Sequence, residues 1–439
     1  MSIQRHSSLH SYNARLVYFM LLMLVTILGS AKVVNAQDDI LAGETINILL
    51  VGDPFALAFE NTLDQLNDLS GANFNIEIVA YNDMYEATLL NLRDRESAYD
   101  IISFDAVWLG EYSEKDVLLP LNEQITASLQ VNPTDFLEIA YSSANRDGVQ
   151  YGLPIQPHPE LLWYRQDLLE AASLTVPTTT DELLNVAEQL TDPSKNQSGI
   201  CWNGQRGQAL GQQMAHFYAA FGQPLLNEDG LPSLNTPKGI AAAKYAQSLL
   251  PFSPSDVLNM AWDQRPVRFS QGGCAMTYEW AARTYLVEDD PRSLVAGNVG
   301  YAGAPYASDA APVTAIGVWN LGIPSNIGER ADIAWRALEW LTSSEIETLL
   351  AENGNGGMAR YSILENPRLQ ALYPAFEVVS QLGSQNQLAD WMRPAVPQWP
   401  LLADILGTVY HDMLQGDLTA EEAAAEAQRQ AELLFGISN

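Results

Sequence analysis

Lysine is nearly missing from this 439-residue chain: it stands only at positions 32, 115, 195, 238 and 244. Lysine and arginine together number 22 against 53 acids, for a formal charge of −31. A surface of that sign repels phosphate backbones and anionic lipid, which excludes nucleic acid as a partner. Histidine is as scarce, and beyond residue 36 only His158, His216 and His411 remain, too scattered to form a triad or a metal cluster. His216 falls in an apolar helical stretch and reads as a packing residue, while His411, near the chain end, reads as a surface one. The chain has no HExxH, no P-loop, no GxSxG elbow and no CxxC. These absences leave no catalytic residue, metal ligand or cofactor site to nominate. The longest apolar run, Leu16 to Leu28, has 13 residues, short of the roughly 20 that span a bilayer.

What surrounds that run is informative. Arg5 and Arg15 precede it, and Val34 and Ala36 follow at the spacing of a small-residue cleavage site. This is the pattern of a secretory signal peptide over 1–36, cut before Gln37. The segment carries three basic residues and no acid, so the remaining 403 residues hold a charge of −34. An exported chain enters an oxidising compartment, where its two cysteines, Cys201 and Cys274, are expected to pair. Closing that loop would stabilise the fold by roughly 4 kcal/mol at most on the entropic argument. Two buried free thiols are the alternative.

Apolar periodicity sets the fold class. Ile46 to Val51 is an apolar run ending at Gly52, and Phe59, Leu63, Leu66 and Leu69 then recur at helical spacing. Phe74, Ile76 and Ile78 alternate as in a half-buried strand, helical spacing returns from Met84 to Leu92, and Tyr99 to Phe104 is a short apolar strand. Strand and helix alternating in this way predict an α/β fold with a mainly parallel sheet. Further on, Leu161–Tyr164, Cys274–Tyr278, Val299–Tyr301 and Ala315–Ile323 read as strands, and Asp332–Thr342 as a helix. Thr179 with Glu182, and Thr419 with Glu422, form capping boxes that start two more helices.

Read in order, these segments resemble the family 1 extracellular solute-binding proteins of bacterial ABC importers, the maltose- and trehalose-binding type. Tyr99 to Trp108 (YDIISFDAVW), Glu111-Tyr112 and Leu118 to Leu121 (LLPL) resemble that family's opening signature. Tyr151 to Pro154 (YGLP) and Leu162 to Leu168 (LWYRQDL) resemble the next, and Pro177 to Leu183 (PTTTDEL) departs from its pattern by placing Thr180 where the family has tryptophan. Gly317 to Pro324 (GVWNLGIP), Ala337 to Ser343 (ALEWLTS) and Arg393-Pro394 to Trp399 complete the series, which covers about 44–435.

The resemblance implies a two-lobed periplasmic binding protein of type II, with mixed sheets, helices on both faces and a hinged cleft. Its lobes are expected over 37–152 plus 310–352 and over 153–309 plus 353–439. The chain would cross between them near Tyr151-Gly152, Pro305 to Thr314 and Asn353 to Gly357. It implies capture of a carbohydrate, a saccharide or polyol, by a periplasmic monomer that delivers it to the cognate ABC permease in the inner membrane. A secreted carbohydrate-active hydrolase, or a receptor of the same fold for a non-sugar solute, are the alternatives.

Sugar sites combine aromatic faces with planar polar groups that take paired hydroxyls. Asp105, at the end of a buried strand, matches the family's cleft aspartate and stands where open α/β sheets bind ligands. Trp108 follows it. Gln156 and His158 lie in a proline-framed segment just after the first crossing, and Trp202 and Arg206 in the loop after Cys201. Glu279 and Trp280 end a strand, with Trp280 placed where the family has an aromatic. Trp319 sits in a glycine-framed crossing strand, Arg360 follows a glycine pair, and Trp391, Arg393 and Trp399 form a last cluster. These are the candidate ligand residues.

Overall fold

In the computed structural model, residues 41–437 apart from residue 289 are described. The expected signal segment 1–36 lies outside the described residues. The first strand, β1 (Thr45–Val51), is buried on both faces beyond Thr45 and Asn47, as an interior strand of a parallel sheet must be. Helix α1 (Pro54–Ser70) begins with proline at its first turn and ends at Gly71 with φ 69°, the start and stop that suit these two residues. It buries Phe55, Phe59 and Leu66. Then come β2 (Asn73–Val79), α2 (Tyr81–Asn91) and β3 (Ile101–Asp105), and β2 and β3 both pair parallel with β1.

The next strand, β4 (Leu153–Arg165), runs 13 residues. Its stretch Leu153–Pro159 pairs with β8 (Thr314–Gly322) and its stretch Glu160–Arg165 with β6 (Cys274–Trp280) and β7 (Val299–Ala302), all antiparallel. Strand β5 (Ser198–Cys201) lies parallel to β6, and β9 (Leu388–Ala389) parallel to β8. The order across the sheet is β2-β1-β3-β8-β4-β6-β5. Strand β4 thus belongs to two half-sheets, and a bulge between Trp319 and Asn320 of β8 lies opposite its first half.

Helices cover both halves. The two capping boxes form as the sequence predicts, at Thr179–Glu182 ahead of α3 (Thr180–Leu190) and at Thr419–Glu422 ahead of the last helix (Ala420–Leu434). Helix α4 (Gln208–Ala220) crosses α8 (Trp399–Gln415) so closely that a Cβ on Gly211 would lie 1.8 Å from the Ala403 carbonyl oxygen. Glycine is required there by the approach of two backbones. Between them in sequence lie α5 (Gln264–Ser270), α6 (Ala331–Leu341) and α7 (Ser344–Glu352). Cys201 and Cys274 are joined in a disulfide, at the end of β5 and the start of β6. His411, expected at the surface, is buried on α8 with Nε2 3.3 Å from the Leu258 carbonyl: the α8 face that meets Val257 and Leu258 takes it inside. No described helix is long and apolar enough to cross a membrane.

Candidate ligand-binding site

Three parallel strands end at one place. Asp53 follows β1, Tyr81 follows β2, and Asp105 closes β3, so all three side chains stand at the carboxyl edge of the sheet, where open α/β sheets hold their ligands. Facing them, β6 ends at Trp280 and runs on to Ala282 and Arg283, with Trp262 and Asp263 ahead of α5, Gln208 and Gln212 on α4, and Trp399 at the start of α8. Gln156 and His158 on β4, Trp319 on β8 and Arg393 fill the gap between the two sets. Together they enclose a cavity of about 300 Å³, at the small end for a ligand site.

The polar groups of this cavity are already organised. Asp53 accepts two hydrogen bonds on Oδ2, from Trp319 Nε1 at 2.8 Å and from Gln156 Nε2 at 3.2 Å. Gln156 in turn accepts from the Phe55 backbone N–H at 2.9 Å, so the start of α1 sets its orientation. Burial raises the Asp53 pKa above the ordinary aspartate value, against the pull of the Arg283 guanidinium and of the two donors. Asp105 Oδ2 receives Arg393 Nη2 at 2.7 Å and the Tyr81 hydroxyl at 3.1 Å. Burial works against the charge on Arg393, but Asp105 and Tyr81 outweigh it and hold its pKa high.

His158 is pushed down to about 4, first by burial and then by the Arg393 charge. It is therefore neutral near pH 7. Its Nδ1 lies 3.1 Å from the Gln156 carbonyl oxygen, which assigns the proton to Nδ1 and leaves Nε2 as an acceptor. Trp280 meets His158 edge-on, ring centroids 4.9 Å apart, and His216 at 5.5 Å. Trp319 meets Tyr81 at 5.8 Å and Trp108 at 5.6 Å, both edge-on.

Of the residues nominated from sequence, Asp105, Gln156, His158, Trp280, Trp319, Arg393 and Trp399 line this cavity. The others stand elsewhere. Trp108 is buried one layer back, packed on Tyr81 and Trp319. Trp202 is wholly buried, donating to Ser253 Oγ at 2.8 Å and packed on Phe217. Arg206 pairs with Asp412 at the surface of α8. Glu279 lies one residue before Trp280, and alternation along β6 turns it to the opposite face, where it binds Arg265 through both oxygens. Arg360 lies over the Phe136 ring at 3.9 Å and bonds the Thr342 carbonyl and Asp135. Trp391, 37% exposed, borders a separate cavity of about 140 Å³ that shares Arg393 with the first.

Asp53, Tyr81, Trp262, Asp263, Arg283, Gln208 and Gln212 were not foreseen. A signal existed for Asp53: it follows an apolar strand and a glycine just as Asp105 follows its strand. Among the described residues no group of His, Cys, Asp and Glu gathers as metal ligands.

Two half-sheets sharing one long strand, with a preorganised polar and aromatic cavity at their facing edges, define a two-lobed solute receptor. The comparison with known proteins agrees: the model of the bacterial extracellular solute-binding protein family matches residues 64–348, and the chain belongs to that family. It is similar to a mannitol-binding protein of Pseudomonas aeruginosa, 23% identical over 67% of this chain and 71% of that one. A solved ABC transporter solute-binding protein of Agrobacterium radiobacter, in complex with ribitol, superposes with a TM-score of 0.82 at 28% identity, covering 90% of this chain and all of the other. One from Agrobacterium vitis with bound D-mannitol gives 0.78 at 21% identity over 90% and 99%. The protein is therefore an extracellular solute-binding protein.

Proposed function

We propose that the protein captures one neutral sugar unit or linear polyol in this cavity, releases it unaltered and hands it to a membrane permease. The observation that carries this reading is the pairing of a small cavity with acceptor-rich, aromatic walls. Asp53 spends only Oδ2 on protein donors, leaving Oδ1 to accept from a hydroxyl, and neutral His158 offers Nε2 as a second acceptor. The cations are committed: Arg393 to Asp105, and Arg283 to the Trp262 carbonyl at 2.8 Å with Asp263 3.7 Å away. Each cation of the wall thus already faces a carboxylate, which disfavours an anionic solute, whereas C–H-rich faces of a polyol suit Trp280, Trp262 and Tyr81. Relatives named for mannitol and ribitol point to the same chemistry.

On this reading the molecule is a periplasmic monomer, its segment 1–36 removed on export. Segments 37–152 plus 310–352 and 153–309 plus 353–439 move as two lobes about the crossing strands, and contacts to both favour the closed state. On this reading the carboxylates bind and do not react: Asp105 is held by Arg393 and Tyr81 and orders the wall, and Asp53 accepts a solute hydroxyl. A thermal-shift panel of ribitol, D-mannitol, erythritol, glucose and maltose tests the proposal, because a bound solute raises the melting temperature by mass action. A rise with single-unit solutes is expected. No rise with any of them, or a rise with maltose alone, would overturn it.

A further inference from the structure

Beneath the cavity wall formed by β6, α4 and α5 lies a group of charges that ligand contact does not explain. Arg265, on α5, has no solvent exposure. Its Nε and Nη2 donate to the two oxygens of Glu279 at 2.9 and 3.0 Å, and its Nη1 to Glu160 Oε1 at 2.8 Å. Nη1 also reaches Gln213 Oε1 at 3.3 Å, and Gln213 Nε2 returns to Glu160 Oε2 at 3.3 Å. His216 Nδ1 contacts that same Glu160 oxygen. The Asn203 amide, turned so that its oxygen faces two donors, accepts from both Arg265 Nη1 and Trp262 Nε1 at 3.3 Å.

Burying three such charges is costly, and the cost is offset only when every one is well paired. Here each is, and the partners have a pattern. Glu279 precedes Trp280 and its Oε1 also accepts the Trp280 backbone N–H at 2.9 Å. Glu160 lies opposite Trp280 in the β4–β6 register and two residues beyond His158. Gln213 follows Gln212 on α4, and Arg265 itself follows Trp262 and Asp263. Apart from α8, which brings Trp399, the segments on this side of the cavity are held to one guanidinium, directly or through a single side chain.

We infer that Arg265 is the positioning residue of the cavity: its planar fork fixes Trp280 and Trp262 relative to His158, so that the wall is formed before a solute arrives. A lysine there keeps the charge but lacks the fork that reaches two carboxylates and an amide at set angles. The binding arm of the test rests on the polyol reading above; the spectroscopic arm does not.

The test labels the protein with 5-fluorotryptophan and follows the Trp280 resonance, assigned through Trp280→Phe, in the ligand-free state. In Arg265→Lys this resonance should move or broaden while that of Trp340, on α6, stays in place. Leu183→Ala, a buried truncation on α3, controls for general destabilisation and should leave the Trp280 signal alone. Affinity for D-mannitol and ribitol, measured by calorimetry, should fall about tenfold or more in Arg265→Lys, and the same substitution in a Trp280→Ala background should cost less than about twofold, because coupled residues are not additive. If Arg265→Lys does not refold cooperatively, Glu160→Gln carries the same readouts with one charge removed. An unmoved Trp280 resonance, or losses that multiply in the double variant, overturns the inference. If the resonance moves while neither polyol binds the unmodified protein, the positioning role stands and the ligand assignment falls.

Discussion

Gly317→Ala puts the smallest side chain into the most crowded point of the site. A Cβ built on Gly317 lies 2.2 Å from His158 Nε2 and 2.3 Å from Arg393 Nη1, where contact distances of roughly 3.5 Å are needed. Both must retreat by about 1 Å. Neither is free to do so: His158 is held by the Gln156 carbonyl and the Trp280 edge, and Arg393 by Asp105 at 2.7 Å. Overpacking of this kind costs about 1–3 kcal/mol, and the figure rises toward about 3–5 kcal/mol if the buried Arg393–Asp105 pair is broken. The unfolded-state effect has the opposite sign, since replacing glycine by alanine at a compatible backbone stabilises by about 0.4–1 kcal/mol. A net loss would therefore come from the native site. Denaturant titration should show a stability loss of about 1–3 kcal/mol, and calorimetry a fall in solute affinity of about tenfold or more. Wild-type stability together with wild-type affinity would refute the argument, because it would mean that His158 and Arg393 do not meet over Gly317.

Other consequences follow from the ionisable groups and the disulfide. The Asp53 pKa is raised by burial, so the carboxylate that accepts solute hydroxyls is protonated at a higher pH than an ordinary aspartate. Affinity should fall on acidification from above the usual aspartate range, and Asp53→Asn should bind weakly at every pH and lose that part of the profile. Glu347 is buried beside Arg360 and its pKa is pushed up to about 8, chiefly by desolvation. Its folded value exceeds the unfolded one, so its favourable contribution is complete below about 4.5 and is lost as pH rises through about 8. Glu347→Gln should flatten the decline of stability across that window in denaturant titrations at fixed pH values. The Cys201–Cys274 bridge spans 73 positions, and its reduction should lower stability by up to roughly 4 kcal/mol. The unreduced protein should be two hydrogens lighter by mass spectrometry, with no thiol open to alkylation.

Much of the fold was legible because its elements carry strong local signals. The apolar run of β1, the alternation of β2 and both threonine–glutamate capping boxes all lie where the periodicity puts them. The long reach of β4 was not legible: its first half reads Leu-Pro-Ile-Gln-Pro-His-Pro, and three prolines in seven residues argue against a strand. The site shows a similar division. Asp105, Gln156, His158, Trp280 and Arg393 come from segments that resemble the family's cleft segments. Arg283 and Gln208 come from a short turn and the first residue of a helix with no distinguishing pattern, and only the crossing of α4 with α8 and the end of β6 bring them to the cavity. Trp202 is a candidate for its place in the loop after Cys201 and Arg360 for its place after a glycine pair, yet tryptophan and arginine serve interiors as readily as ligands when a hydroxyl or a carbonyl is at hand. Here Ser253 and the Thr342 carbonyl play those parts.

Native mass spectrometry of the protein with an equimolar mixture of ribitol, D-mannitol, glucose, maltose and maltotetraose tests the central claim most directly. A cavity of about 300 Å³ with acceptor-rich aromatic walls predicts one saturable adduct with the mass of a single sugar unit or polyol. On unfolding, that solute should be recovered at the same mass. Preferential retention of maltotetraose, or steady accumulation of hydrolysed or otherwise altered solute during incubation, would contradict it.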